Sequence, residues 1–248
     1  MTNWIKGTVI KNHKWNTSLF TLTIKAPIKP FIAGQFTKLA LDIDGYFIQR
    51  AYSYVNAPDN EELEFYLVHI SDGQLTKHLE LLKPNDLIYI SEHSSGFFIL
   101  NEIPKCHTLW MLSTGTAIGP FLSILQFGKN LDKFNKIILV HAVRYAKDLS
   151  YLPLMKQLEN KYSGKLKIQT IVSREKTSHS LMGRIPLLIK NHQLENVVQA
   201  KFDKFTSHVM ICGNPEMVKE TCIILNTERN MHKHLRRKPG NITIEQYW

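Results

Sequence analysis

The hydrophobic pattern of this chain changes its period near residue 100, and this change constrains the fold more than any other feature. Before it, apolar residues such as Phe20, Leu22 and Ile24 alternate with polar ones in short runs that prolines or glycines separate. Alternation with period two indicates half-buried strands. Segments of this kind lie at residues 4–11, 20–25, 35–41, 48–55, 63–70 and 87–91. Their spacing is typical of a small antiparallel barrel or sandwich.

Beyond residue 100, apolar runs alternate with longer amphipathic stretches. The predicted strands are 108–113, 136–142, 166–172, 208–212 and 241–247, and the predicted helices are 120–127, 151–162, 185–191 and 215–231. Strand–helix alternation requires right-handed crossovers between parallel strands. We therefore expect a two-domain fold: an N-terminal antiparallel β-barrel over residues 1–100, and a C-terminal α/β domain with a doubly wound parallel sheet over residues 101–248.

Charge and cysteine content narrow the classes of protein. The chain has 31 Lys and Arg against 21 Asp and Glu, and a net charge of +10 favours acidic partners. Cys106, Cys212 and Cys222 are odd in number and lack Cys-x-x-Cys spacing, so we expect reduced thiols and neither a metal nor an iron–sulfur site. No apolar run is long enough to span a bilayer, and the first residues lack a signal core. These features predict a cytoplasmic protein without a membrane span.

The segment Arg50-Ala-Tyr-Ser-Tyr54 puts a cation, two phenol rings and a hydroxyl on a predicted strand, whose even-numbered residues face one way. As plain structure, the tyrosines are barrel residues and Arg50 is an exposed charge. As a cofactor site, Arg50 binds a diphosphate, Tyr52 stacks on a planar ring, and Ser53 hydrogen-bonds a heteroatom at the ring edge. The second interpretation needs further phosphate ligands, and Gly73-Gln-Leu-Thr76, at a predicted helix start, supplies them.

The segment Gly115-Thr-Ala-Ile-Gly-Pro120 follows the apolar run 109–112 and opens a predicted helix. Free backbone N–H groups at such a place bind phosphate. The segment departs from the Gly-x-Gly-x-x-Gly pattern and lacks the lysine of a P-loop. The simpler alternative is that Thr114 or Thr116 caps the helix.

Arginines follow the predicted strands where an NAD-binding fold has an acid. That acid binds the ribose 2′-hydroxyl near the end of the second strand. Here the strand runs into Arg144, the next ends at Ser173-Arg174, and Arg184 follows Gly183. Because guanidinium groups bind phosphate in bidentate fashion, the pattern favours NADPH over NADH.

Two further segments remain open between structure and chemistry. Cys212-Gly-Asn-Pro215 ends a strand and starts a helix, so Cys212 is either a buried structural thiol or a wall of a nicotinamide pocket. The chain finishes Glu245-Gln-Tyr-Trp248, and its two aromatic rings either pack in a core or stack on a planar cofactor. We favour stacking.

Taken in order, the segments 50–53, 115–119, 212–215 and 247–248 resemble the motifs of the ferredoxin–NADP reductase family, bacterial type, over essentially the whole chain. The resemblance implies an FAD-binding barrel and an NADP-binding parallel-sheet domain. The FAD contacts that it implies are Arg50, Ala51, Tyr52, Ser53, Gly73, Gln74, Leu75, Thr76, Thr116, Tyr247 and Trp248. The NADP contacts that it implies are Gly115, Gly119, Arg144, Ser173, Arg174, Arg184, Cys212 and Gly213.

The same resemblance implies that Ser53, Cys212, Glu245 and Tyr247 surround the hydride-transfer zone. It also implies an aromatic tail that returns to the flavin, and we expect Tyr247 on the isoalloxazine and Trp248 on the adenine. The implied activity is an exchange of electrons between NADPH, a hydride donor, and an acidic one-electron carrier, ferredoxin or flavodoxin. We expect a monomer that does not bind nucleic acid.

Other functions stay open from the residues alone. A related reductase acts on free flavins, quinones or dyes, and a methyltransferase is another use of a parallel sheet with a glycine turn. The basic segment 232–238 suggests a nucleic-acid-binding module, although no motif with base-reading spacing accompanies it. A visible absorption spectrum separates a flavoprotein from the last two.

Overall fold

The computed structural model describes residues 2–247, and these divide into two compact units. The first unit comprises the described residues up to Leu100 together with Gly119–Gly128. The second comprises Asn101–Ile118 and the described residues from Lys129 onward.

The antiparallel sheet expected in the first part of the chain is confirmed. Its strands are β1 (Trp4–Lys14), β2 (Leu19–Lys25), β3 (Phe36–Ile43), β4 (Tyr46–Ser53), β5 (Glu62–Val68) and β6 (Leu87–Ser91), in the spatial order β4-β3-β6-β1-β2-β5. An isolated bridge between Tyr54 and Phe65 joins the two edges, so the sheet curls into a barrel. Phe20, Leu22 and Ile24 are buried in its core, as their alternation predicts.

The hairpin between β3 and β4 turns on Asp44 and Gly45, whose φ angles are 53° and 81°. A two-residue turn of this kind needs left-handed backbone at both positions, which these residues tolerate well. The turn fixes the register of β4, because it leaves no spare residue. Arg50 consequently lies opposite Leu39, and Ser53 lies opposite Phe36.

The second unit contains the expected parallel sheet. Its strands are β7 (Thr108–Thr114), β8 (Lys136–Val143), β9 (Leu166–Val172), β10 (Leu181–Met182), β11 (Ser207–Gly213) and β12 (Ile242–Gln246), in the order β10-β9-β8-β7-β11-β12. The chain moves outward from β7 to β10 and then returns to the other side of β7 with β11. This reversal confirms the doubly wound topology, and it places a topological switch point between β7 and β11, where such sheets bind ligands.

The helices are α1 (Thr76–Leu79), α2 (Gly119–Phe127), α3 (Leu152–Lys161), α4 (Ile185–Lys190), α5 (Gln193–Val198) and α6 (Pro215–Arg229). Sequence periodicity did not predict α5 or the two-residue strand β10. Among the described residues, no helix has the length and apolar character needed to cross a membrane.

Helix α2 is packed within the first unit although it directly follows a segment of the second. Ser123 Oγ donates to the Asn56 carbonyl and Gln126 Nε2 donates to the Val55 carbonyl, both over 2.7 Å. Gly119, the first residue of α2, is buried, and a Cβ there would lie 3.4 Å from Val55 Cγ2. The predicted contact of Gly119 with NADP stays a prediction.

Candidate functional site

Two predicted diphosphate-binding segments, well separated in sequence, meet in the first unit. Arg50 Nη2, near the end of β4, donates to Gln74 Oε1 over 3.3 Å. Both side chains are exposed. The contact therefore sets a guanidinium group beside the turn that leads into α1.

That turn contains a buried hydroxyl in need of a partner. Thr76 Oγ1 is buried and has no hydrogen-bond partner within the described chain, a situation that costs about 1–3 kcal/mol unless a ligand or water relieves it. Gly73 holds the backbone close, since a Cβ there would lie 2.7 Å from Thr76 Oγ1 and 2.9 Å from the Ile70 carbonyl oxygen. The residues fit a bound phosphate group. Leu75 buries its side chain in the barrel core, and its carbonyl accepts from the N–H groups of His78 and Leu79.

Tyr52, on β4, and Tyr54, just after the end of β4, have different environments. Arg50 and Tyr52 lie opposite Leu39 and Thr37, so they share a face, as period two predicts. Tyr54 is fully buried and stacks on a phenylalanine ring, and its hydroxyl lies 2.9 Å from Ser94 Oγ. The plain structural interpretation therefore holds for Tyr54.

Tyr52 remains the candidate stacking ring. It is half-buried, and burial raises its pKa far above the usual range for a phenol, against a smaller opposing effect of Arg50. The ring is consequently neutral at physiological pH. Ser53 is buried and Ala51 is exposed, on the alternate positions of the strand.

A row of polar residues crosses the parallel sheet near the carboxyl ends of its strands. From β9 to β12, the residues in register are Thr170, His141, Ser113, Cys212 and Glu245. Each lies within two residues of the carboxyl end of its strand, the edge at which parallel sheets bind ligands. Sequence analysis identified Cys212 and Glu245 but missed the other members. Their signal was a polar residue near the end of each apolar run.

Directly after β7, the turn of residues 115–118 lies at the switch point. Gly115 has a φ of +56°, and a Cβ built there would meet nothing within 4 Å, so the position opens onto free space. Thr116 is buried. The Nε2 atom of His141 lies 3.0 Å from the Gly115 carbonyl oxygen. The turn has room for a ligand on one side and a buried anchor on the other.

The ends of β7 and β11 are locked together beside this turn. Gly213 has a φ of +146°, and any Cβ would collide with Thr114 Oγ1, so only glycine fits. Thr114 Oγ1 accepts a hydrogen bond from the Asn214 N–H over 3.0 Å. Asn214 in turn caps α6. Thr114 thus bonds across the sheet rather than capping the helix after it.

Cys212, Glu245 and Tyr247 come together at the same edge. Cys212 Sγ donates to Glu245 Oε1 over 3.9 Å, and the Tyr247 N–H donates to the Gly213 carbonyl over 3.1 Å. Burial and then the neighbouring Glu245 raise the pKa of Cys212 well above that of an ordinary thiol, and a hydrogen bond from Tyr247 opposes them weakly. The thiol therefore keeps its proton. Trp248 lies outside the described residues.

The three predicted arginines follow three neighbouring strands. The Arg174 N–H donates to the Arg144 carbonyl over 3.0 Å, and the Ser173 N–H donates to the Val143 carbonyl over the same distance. Arg184 follows β10, which pairs with β9 in parallel. All three side chains are exposed at one edge of the sheet. This grouping suits a phosphate group.

Sequence analysis missed an aromatic residue and a lysine in this cluster. Arg174 Cζ and Lys147 Nζ lie 5.8 Å and 5.7 Å from the centroid of the Tyr145 ring. Cations over a ring face are attracted by its quadrupole. Tyr145 directly follows Arg144, and this adjacency was the available signal.

The basic segment 232–238 contains a tight turn. Leu235 and Lys238 exchange backbone hydrogen bonds of 3.0 Å and 2.9 Å, which leaves Arg236 and Arg237 at the tip. Arg236 forms a bidentate pair with Glu102, through Nε at 2.9 Å and Nη2 at 2.8 Å. Arg237 and Lys238 are exposed.

Comparison with known proteins gives consistent matches over the chain. Residues 7–96 match the family described as oxidoreductase FAD-binding domain, and residues 111–223 match the oxidoreductase NAD-binding domain. A flavodoxin/ferredoxin–NADP reductase of Escherichia coli (strain K12) is 58% identical over 248 residues, with 100% of each chain covered. One of Buchnera aphidicola subsp. Schizaphis graminum is 55% identical, also with 100% of each covered. The crystal structure of a ferredoxin NADP+ reductase from Neisseria gonorrhoeae with bound FAD and NADP has a TM-score of 0.94 and 30% identity, with 100% of each chain covered.

Proposed function

Because the chain belongs to the flavodoxin/ferredoxin–NADP reductase family, we propose that it passes electrons between NADPH and a one-electron protein carrier, ferredoxin or flavodoxin. It is an oxidoreductase with FAD- and NAD(P)-binding domains. The observation that carries the proposal is the meeting of Arg50 and Gln74 beside the unpartnered Thr76 hydroxyl. A bound diphosphate would supply an acceptor for the Thr76 hydroxyl and a negative charge beside Arg50.

FAD binds through residues of the first 100 positions. Arg50 and Gln74 hold the diphosphate, Thr76 Oγ1 donates to one of its oxygens, and Gly73 keeps the backbone close enough to do so. Tyr52 would stack on the isoalloxazine, and Ser53 would hydrogen-bond a heteroatom at the edge of that ring. The half-buried Tyr52 ring and its place beside Arg50 on one face of β4 support this assignment.

NADP(H) binds through residues of 101–248. Arg144, Arg174 and Arg184 hold the 2′-phosphate, and Ser173 directly precedes Arg174 at the end of β9, where its N–H donates to the Val143 carbonyl. Guanidinium groups bind phosphate oxygens in pairs, which a ribose hydroxyl cannot match. The arrangement supports a preference for NADPH over NADH. Gly115 and Gly213 allow the nucleotide to approach the backbone at the switch point.

When bound, FAD accepts a hydride from NADPH and releases electrons singly, which joins a two-electron donor to a one-electron acceptor. The protein contributes by positioning the two cofactors and by placing charged groups near them. Cys212 keeps its proton on Sγ, directed at Glu245 Oε1, so no thiolate forms beside that carboxylate. Thr116 lies on the turn that receives the nicotinamide end. Tyr247, whose N–H donates to the Gly213 carbonyl, would cover the flavin ring when no nicotinamide is there.

The carrier is acidic and docks on the basic surface around Arg237 and Lys238. A net charge of +10 draws acidic proteins from a distance. The exposure of these two side chains supports the assignment. Arg236 contributes less, because Glu102 already neutralises it. In this proposal the enzyme works in the cytoplasm as a monomer.

The test is a visible spectrum of the purified holoprotein before and after NADPH. We expect oxidised flavin bands that bleach on addition of NADPH, followed by reduction of added ferredoxin or flavodoxin. A colourless protein that FAD does not reconstitute would refute the proposal. Reduction of free FMN as fast as of either carrier would favour a reductase of free flavins instead.

A further inference from the structure

His141 is a fully buried imidazole that follows a run of four apolar residues on β8. Ile137, Ile138, Leu139 and Val140 precede it on β8, and all of them are buried as it is. Burying a polar ring costs free energy unless its nitrogen atoms find hydrogen-bond partners. A core with only a packing role is filled better by an aliphatic side chain. The imidazole therefore calls for an explanation beyond packing.

One ring nitrogen supplies that explanation. His141 Nε2 lies 3.0 Å from the Gly115 carbonyl oxygen, which can only accept, so Nε2 carries the hydrogen. Nδ1 is buried and has no partner in the part of the chain that the structure describes. Burial lowers the pKa of His141 to about 4, although the Gly115 carbonyl opposes the shift. The ring is neutral, and its single N–H is committed to Gly115.

Gly115 is a residue whose orientation needs such an anchor. Its backbone is left-handed, and nothing packs within 4 Å of the position that a Cβ would occupy. The Gly115 carbonyl and the Thr116 N–H belong to one planar trans peptide, so they point in opposite directions. When the carbonyl is held by His141 inside the sheet, the Thr116 N–H is directed away from the imidazole.

We propose that His141 is a positioning residue for the nicotinamide nucleotide: it holds the Gly115 carbonyl inward and thereby presents the turn of residues 115–118 to NADP(H). The proposal rests on the proposed function for the identity of the ligand. The row of polar residues supports it, because His141 lies in register with Ser113, which lies in register with Cys212. His141 thus lies in the same row of the sheet as Cys212, on the β8 side of β7.

A second buried histidine in the same sheet provides a matched control. His208 is 2% exposed, and its Nε2 lies 2.8 Å from Thr243 Oγ1. Burial also lowers its pKa, to about 3. His208 is the second residue of β11, at the strand end opposite to the switch point. Its loss should cost stability without disturbing the turn.

The experiment compares His141→Leu, His141→Gln, His141→Asn and His208→Leu in the FAD-loaded protein. The readouts are the Kd for NADP+, the KM and kcat with NADPH, the melting temperature, and deuterium exchange of the backbone at residues 115–118. We expect His141→Leu and His141→Asn to raise the Kd about tenfold, the equivalent of about 1.4 kcal/mol, and to increase exchange in the turn. In His141→Gln the amide nitrogen takes the place of Nε2, so its Kd should stay within about threefold of the wild type.

Equal changes in Kd and exchange for His141→Leu and His208→Leu would overturn the proposal, as would an unchanged Kd in His141→Leu. If the leucine variants do not fold, the contrast between His141→Asn and His141→Gln decides, because both side chains are polar and only the longer one reaches Gly115. If the wild type does not bind NADP+, the proposed function fails. The exchange data then report separately whether His141 holds the turn.

Discussion

The N–H of Arg174 donates to the carbonyl of Arg144 over 3.0 Å, and this bond sets the two arginines side by side at the ends of β9 and β8. Both side chains are exposed at the sheet edge where nucleotides bind. We expect Arg144→Ala to raise the KM for NADPH about tenfold to a hundredfold, since a charge-assisted hydrogen bond contributes about 1.5–3 kcal/mol. The KM for NADH, which lacks the 2′-phosphate, should change less than about twofold. Steady-state kinetics with both nucleotides and an artificial acceptor measure this.

Lys219→Ala is the control for a general loss of positive charge, because Lys219 is exposed on α6. It should leave both KM values unchanged. Equal increases for NADPH and NADH in Arg144→Ala would remove the role in binding the 2′-phosphate.

Thr76 offers a test of the flavin site that separates binding from stability. Its hydroxyl is buried and bonds to no described residue, so Thr76→Val removes no internal hydrogen bond. We expect the apoprotein to unfold at an unchanged or higher urea concentration, and the Kd for FAD to rise about tenfold, the equivalent of about 1.4 kcal/mol. Flavin fluorescence titration of the apoprotein measures the Kd.

Thr21→Val is the matched control for Thr76→Val. Thr21 is also buried, but its Oγ1 accepts a hydrogen bond from Trp15 Nε1 over 2.8 Å, so its loss should lower stability and leave FAD affinity nearly unchanged. If Thr76→Val destabilises the apoprotein as much as Thr21→Val does, the hydroxyl is structural and the phosphate assignment is wrong.

The cysteines should be unreactive in the native protein. Burial raises the pKa of Cys212 well above its ordinary value, that of Cys106 to about 11, and that of Cys222 by a smaller amount. Because the thiolate is the reactive form, iodoacetamide at pH 8 should label the native chain slowly and the urea-unfolded chain quickly. Mass spectrometry of the labelled peptides measures this, and rapid native labelling of Cys212 would contradict it.

The raised pKa of Cys212 also makes the stability of the folded protein depend on pH. An unfolded thiol titrates near about 8.5, whereas the folded Cys212 keeps its proton to a higher pH. Above about pH 8.5 the folded state therefore binds more protons than the unfolded state does. The contribution of the Cys212 thiol to the free energy of unfolding is complete below that pH and is lost as the pH rises further. Cys212→Ala should reduce the alkaline fall in the free energy of unfolding between pH 8 and pH 10, measured by urea titration. An unchanged slope would contradict this.

Hydrophobic periodicity predicted much of the fold, because most strands and helices of this chain bury residues in a regular local pattern. The strands of the barrel follow from period two, and the grouping of Arg144 and Arg174 follows from the rule that carboxyl ends of parallel strands meet at one edge. Helix α5 could not be predicted in this way, since a tertiary contact holds it. Glu195 accepts from the Arg229 guanidinium over 2.8 Å and from the Phe202 N–H over 2.9 Å.

Parts of the site depend on register, which the sequence alone does not display. His141 is a lone histidine in an apolar run until β7 is laid beside β8 and Gly115 comes within reach of its ring. The pairing of Arg236 with Glu102 joins residues 134 positions apart, and no local pattern announces it. Such contacts need the folded chain.

That pairing gives the basic turn unequal charges, and this leads to a prediction about the carrier. Arg237 and Lys238 are exposed and form no ion pair within residues 2–247, whereas Glu102 neutralises Arg236. At low salt we expect Arg237→Glu to slow carrier reduction about tenfold, Arg236→Ala to have a smaller effect, and Glu102→Gln to speed it, because that change frees Arg236. Stopped-flow mixing with ferredoxin or flavodoxin measures these rates.

Salt provides the control for this last set of variants. The differences between them should shrink as ionic strength approaches 1 M, where the Debye length falls to about 3 Å. Reduction of a small uncharged acceptor should be the same in all of them, because the variants lie outside the assigned nucleotide sites. If the rate of carrier reduction does not depend on ionic strength, or if Glu102→Gln lowers that rate, the carrier docks elsewhere.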